Sequence, residues 1–280
     1  MAVKIITDAA CDLTQAQAQQ KGILFVPMTI TFGQTEYKAG VNISNEEFYT
    51  LLANSEALPT TSQPTPYEFE QVYQAVTEQG DEAVVICMSS ALSGTFQSAC
   101  IAAADFENIQ VVDSLNVTIG QRILLEYALT LVAEGLNARQ IADKLNQAKS
   151  NIRIYAAVDT LEYLMKGGRL SKTAGLAGKV LGIRPILTVE GGELKVIAKA
   201  RGIKGAINQL NQIIAGNINT SLPYMLGYSG TDRSNLDDYL AASAEIWGCA
   251  ASEEIISEIG STIGTHTGPG LIVMAYFTNQ

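Results

Sequence analysis

The sequence predicts an α/β protein with two domains. Its 280 residues are 47% apolar, which is enough for a large buried core. The first half alternates short β-rich runs with amphipathic helical patterns, which is typical of parallel βα units. The second half adds a hairpin pattern that turns at Gly191-Gly192. We therefore predict an N-terminal α/β domain at residues 1–150 and a C-terminal α/β domain at residues 151–280.

Four strands and six helices are predicted in the first half. The clearest helix start is at Thr65, where a capping threonine precedes Pro66 and Glu68 completes a capping box. Ser44 caps another helix, whose apolar side chains repeat on one face. The predicted strands are 3–8, 23–32, 83–88 and 109–114, and the predicted helices are 13–22, 44–54, 65–80, 96–106, 119–134 and 137–149.

The second half is predicted from the same kinds of signal. β-Rich runs bounded by glycine, proline and asparagine indicate strands, and a 3.6-residue apolar repeat indicates helices. The predicted strands are 152–159, the two arms of the 183–200 hairpin, 223–228 and 271–277, and the predicted helices are 161–182, which glycines interrupt, 203–215 and 232–247.

Charge is distributed unevenly along the chain. The net charge of −10 argues against a general surface for nucleic acid. Residues 166–204 nevertheless hold nine of the eighteen Lys and Arg residues and only two acidic residues, so this segment carries +7. Such a basic segment fits a docking surface or an anion site, and it equally fits a solvated charged face.

The sequence also limits the cellular setting. No run of eighteen apolar residues exists, which argues against a membrane span. The first residues are typical of a β-strand rather than of a signal peptide. The four cysteines form no CxxC pair, as expected for free thiols in a reducing compartment. We therefore expect a cytoplasmic protein.

The candidate site residues lie in three polar stretches marked by glycine and proline. Residues 59–66 precede a predicted helix, residues 89–95 connect a buried strand to a helix, and residues 264–270 precede the last strand. Ligands of open α/β sheets bind beyond the carboxyl ends of the strands, where such connections emerge. We therefore expect the three stretches to meet at one site.

Hydroxyl groups are the main chemical feature of the first two stretches. Ser93, Gly94 and Thr95 present hydroxyls and backbone N–H groups at a predicted helix start, where the helix dipole favours an anion. Thr61 and Ser62 offer hydroxyls just before another helix. Ordinary cap and turn chemistry is an alternative explanation for both stretches.

His266, in the third stretch, is the only histidine of the chain. A lone histidine is more often a structural residue than a ligand contact. Against that, Gly264, Gly268 and Gly270 allow a close approach of the backbone to another surface. An imidazole also donates to carboxylates and changes its charge near neutral pH. The residues alone leave both interpretations open.

Eight short motifs follow one another along residues 3–278. They are TDAACDLT, TTSQPTP, SSALSGTFQSA, VVDS, LEYLMKGGRLSK, GIRPIL with a following GGEL, KARGIKGAI and GTHTGPG. Each motif alone is weak, but the ordered set resembles the DegV family. That family includes the fatty-acid-binding subunits, FakB type, of bacterial fatty acid kinase.

The resemblance implies a fold and a ligand. It implies a two-domain DegV-like fold, with a Rossmann-like three-layer N-terminal domain and a smaller α/β C-terminal domain on a mixed sheet. A long-chain fatty acid, such as a C14–C18 acid, is then expected between and within the domains, with its tail in an apolar tunnel. Thr61 and Ser93 resemble the hydroxyl donors to its carboxylate, Gly94 adds a backbone N–H, and His266 joins the same network.

The resemblance also implies a partner. It associates Arg169 and Arg201, with Lys166 in the same basic segment, with docking of the catalytic subunit of fatty acid kinase, which phosphorylates the presented acid to an acyl phosphate. The chain itself is then a carrier with no catalytic residue, no metal and no cofactor. Transient contact with a membrane surface is expected of such a carrier.

Some residues depart from the pattern of the family. Leu115, Val117 and Ile119 stand where the family usually has a small, glycine-rich run. These bulky side chains are expected to line or shorten the tunnel.

Two other functions compete with the carrier. One is a serine hydrolase or esterase with Ser93 as nucleophile and His266 as base. Against it, residues 89–95 lack a G-x-S-x-G elbow, and no acidic residue stands out to orient the histidine. The other is a binding protein for a small molecule such as a sugar phosphate.

Overall fold

The chain folds around three β-sheets. In the computed structural model, which describes residues 2–170, 182–247 and 253–279, the strands form a four-stranded, a three-stranded and a six-stranded sheet. The elements of the first half are β1 (Val3–Asp8), α1 (Gln15–Gln20), β2 (Ile23–Val26), β3 (Thr29–Phe32), β4 (Thr35–Lys38), α2 (Asn45–Asn54), β5 (Thr60–Ser62), α3 (Pro66–Glu78), β6 (Glu82–Cys87), α4 (Thr95–Ala102), β7 (Ile109–Asp113), α5 (Ile119–Ala133) and α6 (Ala138–Ala148).

The four-stranded sheet is parallel and has helices on both faces. Its strand order is β2-β1-β6-β7. Ile5 and Ile86 point to one face, where they share a core with α5 and α6. Ile6 and Val85 point to the other face, against α3 and α4. This alternation has the two-residue period of a strand buried on both sides, and it confirms the three-layer arrangement.

The second half is organised by the six-stranded sheet. Its elements are β8 (Ile152–Ala157), α7 (Glu162–Lys166), β9 (Ile183–Glu190), β10 (Glu193–Arg201), α8 (Gly202–Ile214), β11 (Met225–Tyr228), α9 (Ser234–Ala242), α10 (Ala244–Trp247), β12 (Ile256–Glu258), α11 (Ser261–Thr267) and β13 (Ile272–Phe277). The strand order is β10-β9-β8-β13-β11-β12, antiparallel except for the β11–β12 pair. The predicted mixed sheet is therefore confirmed.

The two faces of the mixed sheet have different partners. Ala157, Ile186 and Met274 face α8 and α9. Ile154 and Val273, on the opposite face, join the core that continues into the first half of the chain. The four-stranded sheet ends at residue 113 and the mixed sheet begins at residue 152, whereas the domain boundary near residue 150 stays a prediction.

Most predicted elements are present, and the local signals behave as expected. Thr65 and Ser44 both form capping boxes. The hairpin turns at Gly191-Gly192, where both residues have positive φ. Of the predicted helix 161–182, the described part contains α7, and residues 171–181 lie outside the described residues, as does Cys249.

The predicted strand 23–32 is wrong as one strand. It is two strands, because Pro27 has no N–H to donate to a sheet. The part before Pro27 pairs with β1 in the parallel sheet. The part after it, β3, pairs with β4 and β5 in the three-stranded antiparallel sheet. Strands β4, β5 and β12 are three short elements that the sequence patterns did not predict.

The predicted helix 232–247 is also divided, at Ser243. The Ser243 hydroxyl donates to Asn211 Oδ1 of α8 at 2.8 Å, and the backbone leaves the helical region there. A side-chain hydrogen bond to a neighbouring helix therefore replaces the continuation of the helix.

Part of the stretch that carries His266 is helical, because residues 264–267 belong to α11, a helix that the sequence patterns did not predict. Gly264 lies in the middle of this helix, where glycine is intrinsically unfavourable. A Cβ at Gly264 would lie 2.7 Å from a ring carbon of Phe48 and 2.6 Å from the hydroxyl oxygen of Tyr49. Close packing of α11 on α2 therefore requires the glycine and supports the helix.

Candidate functional site

A cavity lies between the parallel sheet and the mixed sheet. It encloses about 780 Å³ of space, its open mouth included. Ser93 and Thr118, in the connections after β6 and β7, form one side of it. The cavity thus lies where ligands of open α/β sheets bind, beyond the carboxyl ends of the strands.

The wall of the cavity is predominantly apolar. The inward face of the mixed sheet supplies much of it, since residues two apart on each strand point the same way. The apolar lining residues are Met28, Met88, Leu92, Val117, Ile154, Ala156, Leu164, Leu187, Val189, Leu194, Ile263, Leu271 and Val273. Such a surface favours a ligand with a long apolar part.

Thr61 and His266 form a hydrogen-bonded pair in the wall. Thr61 Oγ1 lies 2.8 Å from His266 Nε2. Strand β5 directs Thr61 inward, beside the buried Ile30, while α11 presents His266 from its last turn. Both side chains line the cavity, so two of the predicted site residues meet there.

The hydroxyl of Ser93 also lines the cavity, and Thr95 forms hydrogen bonds with it. Ser93 Oγ lies 2.9 Å from Thr95 Oγ1 and accepts from the Thr95 backbone N–H at 3.3 Å. Thr95 is fully buried. When the Thr95 hydroxyl also donates to Ser93 Oγ, the Ser93 proton is directed into the cavity.

His266 is neutral at physiological pH. Burial, and then the positive charge of Arg169, lower its pKa from 6.5 to about 4. Its Nδ1 has no hydrogen-bond partner among the described residues. A Cβ at Gly167 would collide with this atom, so the ring is packed against the glycine pair after α7. A neutral ring with Nε2–H donates to Thr61 and leaves the Thr61 proton free.

Arg169 reaches the cavity mouth. Its Nε donates to the Leu92 carbonyl at 3.2 Å, and its Nη1 donates to the Gly167 carbonyl at 2.7 Å. The side chain lines the cavity although the residue is exposed. Arg169 thus lies near the predicted head-group residues, because the turn after α7 folds back onto the loop before α4.

Other predicted residues lie outside the cavity wall. Ser62 is exposed, since it follows Thr61 in a strand and points to the opposite face. Gly94 is the N-cap of α4, where a Cβ would collide with Gln63. Lys166 pairs with Glu162 at 2.6 Å on α7, and Arg201 is exposed at the end of β10.

Of the three bulky residues that depart from the family pattern, Leu115, Val117 and Ile119, only one lines the cavity. Val117 lines the cavity. Ile119 is fully buried at the start of α5 and belongs to the core rather than to the wall. Leu115 lies beside the hairpin turn, where its side chain would be 3.4 Å from a Cβ at Gly192.

Four threonines in the wall, Thr118, Thr188, Thr262 and Thr267, were missed by the sequence analysis, and two of them bear on the site. Thr118 donates its hydroxyl to Asp12, and Asp12 also accepts from the Gly260 backbone N–H at 2.9 Å. Asp12 thereby connects the cavity wall to the start of α11, and burial raises its pKa to about 7. The other residue is Thr262, four positions before His266. A helical interpretation of residues 261–267 would have placed Thr262 beside the histidine.

The described residues do not indicate a metal site or a membrane span. Among residues 2–170, 182–247 and 253–279, no group of three or more His, Cys, Asp or Glu side chains is arranged to hold a metal ion. No helix in the same ranges is both long and apolar enough to cross a membrane. Cys11, Cys87 and Cys100 are free thiols.

Fold and site together define an α/β protein with an apolar ligand cavity and a hydroxyl–histidine cluster in its wall. The family model described as uncharacterised protein, DegV family, matches residues 2–279, and the chain belongs to the DegV family. It is 36% identical over 274 residues to a DegV domain-containing protein of Caldanaerobacter subterraneus subsp. tengcongensis, covering 95% of each chain.

Solved structures show the same architecture. A fatty-acid-binding DegV family protein from Thermus thermophilus is 29% identical, with a TM-score of 0.86 over 99% of this chain and 100% of that one. A stearic acid-binding protein from Eubacterium ventriosum is 26% identical, with a TM-score of 0.85 over 99% of this chain and 98% of that one.

Proposed function

We propose that this chain binds a long-chain fatty acid in the cavity and presents its carboxylate at Thr61 and Ser93. The observation that carries the proposal is the pair of hydroxyls of Thr61 and Ser93 in a predominantly apolar wall, each hydrogen-bonded to a second side chain. Similarity to the fatty-acid-binding proteins of Thermus thermophilus and Eubacterium ventriosum supports the same ligand class.

The hydroxyl pair suits a carboxylate. In the tautomer with the proton on Nε2, His266 donates to Thr61; Thr95 donates its backbone N–H to Ser93 and, in one hydroxyl orientation, its O–H as well. The free proton of each hydroxyl then points toward the ligand, where a carboxylate accepts it in a charge-assisted hydrogen bond. A buried carboxylate requires such partners, because an unpaired charge is costly to desolvate.

The apolar wall supplies most of the affinity. Burial of one methylene group stabilises by about 0.8 kcal/mol, so a C16 chain offers roughly 11 kcal/mol before the costs of ordering. Association and chain ordering remove a substantial part of that gain. A sugar phosphate has no comparable apolar part and would leave this wall uncovered.

The geometry does not favour a hydrolase. His266 Nε2 is bonded to Thr61, and its Nδ1 is packed against Gly167, so neither ring nitrogen forms a described hydrogen bond with Ser93. Ser93 instead pairs with Thr95, which cannot act as a general base at neutral pH. We therefore propose a carrier rather than an enzyme.

The proposal extends to a kinase partner, as the resemblance to FakB-type subunits implies. The carboxylate oxygen would attack the γ-phosphorus of ATP held by the kinase subunit, forming an acyl phosphate and releasing ADP. Neutral hydroxyl donors bind the carboxylate without the charge neutralisation that a direct ion pair imposes. Lys166, Arg169 and Arg201 provide positive charge for docking, and transient contact with a membrane would load or release the acid.

Mass spectrometry of the lipid extracted from the purified, denatured protein tests the ligand. We expect C14–C18 acids from the wild type. Ala156→Phe serves as a matched variant, because Ala156 lines the cavity and a phenyl ring would fill it. This variant should carry much less acid at an unchanged circular dichroism spectrum. Consistent absence of acids from the wild type, or equal recovery from both proteins, would contradict the proposal.

A further inference from the structure

Thr262 is a buried hydroxyl in the cavity wall that lacks a hydrogen bond. Its residue is 3% exposed, and its Oγ1 has no partner among the described residues. The other threonines of α11 differ in this respect. Thr265 donates to the Ser261 carbonyl at 2.9 Å, and Thr267 donates to the Ile263 carbonyl at 3.1 Å. Thr262 lies in the first turn of α11, so the residue four positions earlier is outside the helix.

An unpaired buried hydroxyl destabilises the unliganded protein, so a partner in the cavity is expected. The adjacent wall does not provide one. The Thr118 hydroxyl is already donated to Asp12, and both oxygens of Asp12 accept from Thr118 and Gly260. Two other hydroxyls of the wall are also already donated, that of Thr188 to the Ile154 carbonyl at 2.8 Å and that of Thr267 to the Ile263 carbonyl at 3.1 Å. Thr262 lines the cavity, so an atom of a bound ligand can supply the partner.

The position of Thr262 identifies which part of the ligand it meets. The carboxylate donors lie at the end of α11 that carries His266, near the exposed Arg169 at the mouth. Thr262 lies on the same helical face one turn further in, about 5–6 Å away between Cβ atoms. That distance places it beside the first carbons of the acyl chain. A plain methylene group neither donates nor accepts a hydrogen bond.

We propose that Thr262 binds an oxygen substituent on the acyl chain, so that the site is suited to fatty acids with a hydroxyl or oxo group near the carboxyl end. This inference rests on the proposed fatty-acid function. The Thr262 hydroxyl donates to the substituent or accepts from it, and no covalent step is involved.

The test compares palmitic acid with 2-hydroxypalmitic and 3-hydroxypalmitic acid by calorimetric titration of the delipidated protein. For the wild type, at least one hydroxy acid should bind about five- to tenfold more tightly than palmitic acid, the value of one added hydrogen bond. In Thr262→Val, which has nearly the same shape but no hydroxyl, this preference should disappear. The affinity of Thr262→Val for palmitic acid is the reference for this comparison.

Thr262→Ser is the matched control, since it keeps the hydroxyl and should keep the preference. Without ligand, Thr262→Val should melt no lower than the wild type, because it removes an unpaired polar group. If Thr262→Val is unfolded, Thr262→Ala replaces it in the same comparison.

A wild type that prefers neither hydroxy acid would overturn the inference, as would a preference that persists in the valine variant. Weaker binding of all three acids by that variant would instead assign Thr262 to the carboxylate and overturn it too. Failure of the wild type to bind any of the acids would overturn the proposed function itself.

Discussion

Replacement of Thr61 by valine isolates the hydrogen bond on which the head-group site depends. Thr61 and valine have nearly the same shape, and the backbone of β5 pairs with β3 whatever the side chain. The substitution therefore removes one hydroxyl from the cavity wall and leaves the apolar surface intact. It also removes the group 2.8 Å from His266 Nε2.

The expected loss follows from the role of the hydroxyl. A hydrogen bond to a charged group contributes about 1.5–3 kcal/mol, and a buried carboxylate oxygen left unpaired loses at least that much. The dissociation constant should therefore rise about 10- to 150-fold. Because the tail contacts are unchanged, the same factor should apply to C14, C16 and C18 acids.

Calorimetric titration of the delipidated proteins measures the effect. Ser62→Ala is the matched control, since Ser62 is the next residue of the strand, is exposed and points away from the cavity. It should bind as tightly as the wild type. Equal affinities for Thr61→Val and Ser62→Ala would refute the assignment of Thr61 to the carboxylate.

Three further predictions concern the other residues of the site. Ser93→Ala should weaken acid binding by about 1–3 kcal/mol in the same titration, and an unchanged affinity would remove Ser93 from the site. Folding lowers the pKa of His266 from 6.5 to about 4, so the unfolded chain protonates this ring more readily than the folded protein does. The free energy of unfolding should therefore fall as the pH drops from 6.5 to 4. Urea unfolding across that range should show a shallower fall for His266→Gln, whereas identical slopes would count against a buried neutral ring. Arg201→Glu should leave acid binding unchanged, because Arg201 does not line the cavity, and should lower acyl phosphate formation by a fatty acid kinase catalytic subunit; unchanged phosphorylation would exclude Arg201 from docking.

Local sequence signals were sufficient for most of the fold. Thr65 with Glu68 and Ser44 with Glu47 form capping boxes, whose residues interact within one helical turn. The hairpin at Gly191-Gly192 depends on the conformational freedom of two adjacent glycines. Such features depend on short-range chemistry, so a pattern in the chain is enough to predict them.

The helices and strands that the sequence did not predict depend on contacts between distant parts of the chain. Gly264 and the polar residues around it favour a turn, yet α11 forms there because α2 packs against the space that a side chain would occupy. Strand β5 is three residues long and exists through its pairing with β3. Neither contact partner is close in sequence.

The sequence indicated which residues belong to the candidate site, but it did not indicate how their side chains are arranged. The three polar stretches do meet, and Thr61, Ser93 and His266 line one cavity. The sequence could not show that Thr61 points inward and Ser62 outward, because that depends on the register of an unpredicted strand. The approach of Arg169 to Leu92 joins residues 77 positions apart, which no local pattern encodes.

A crystal structure of the protein with palmitic acid would show whether Thr61 and Ser93 hold the carboxylate. Carboxylate oxygens are expected within about 3 Å of both Thr61 Oγ1 and Ser93 Oγ, with the chain extending along Ile154 and Val273. An acid bound elsewhere, or a carboxylate that faces solvent and contacts neither hydroxyl, would refute the proposed head-group site.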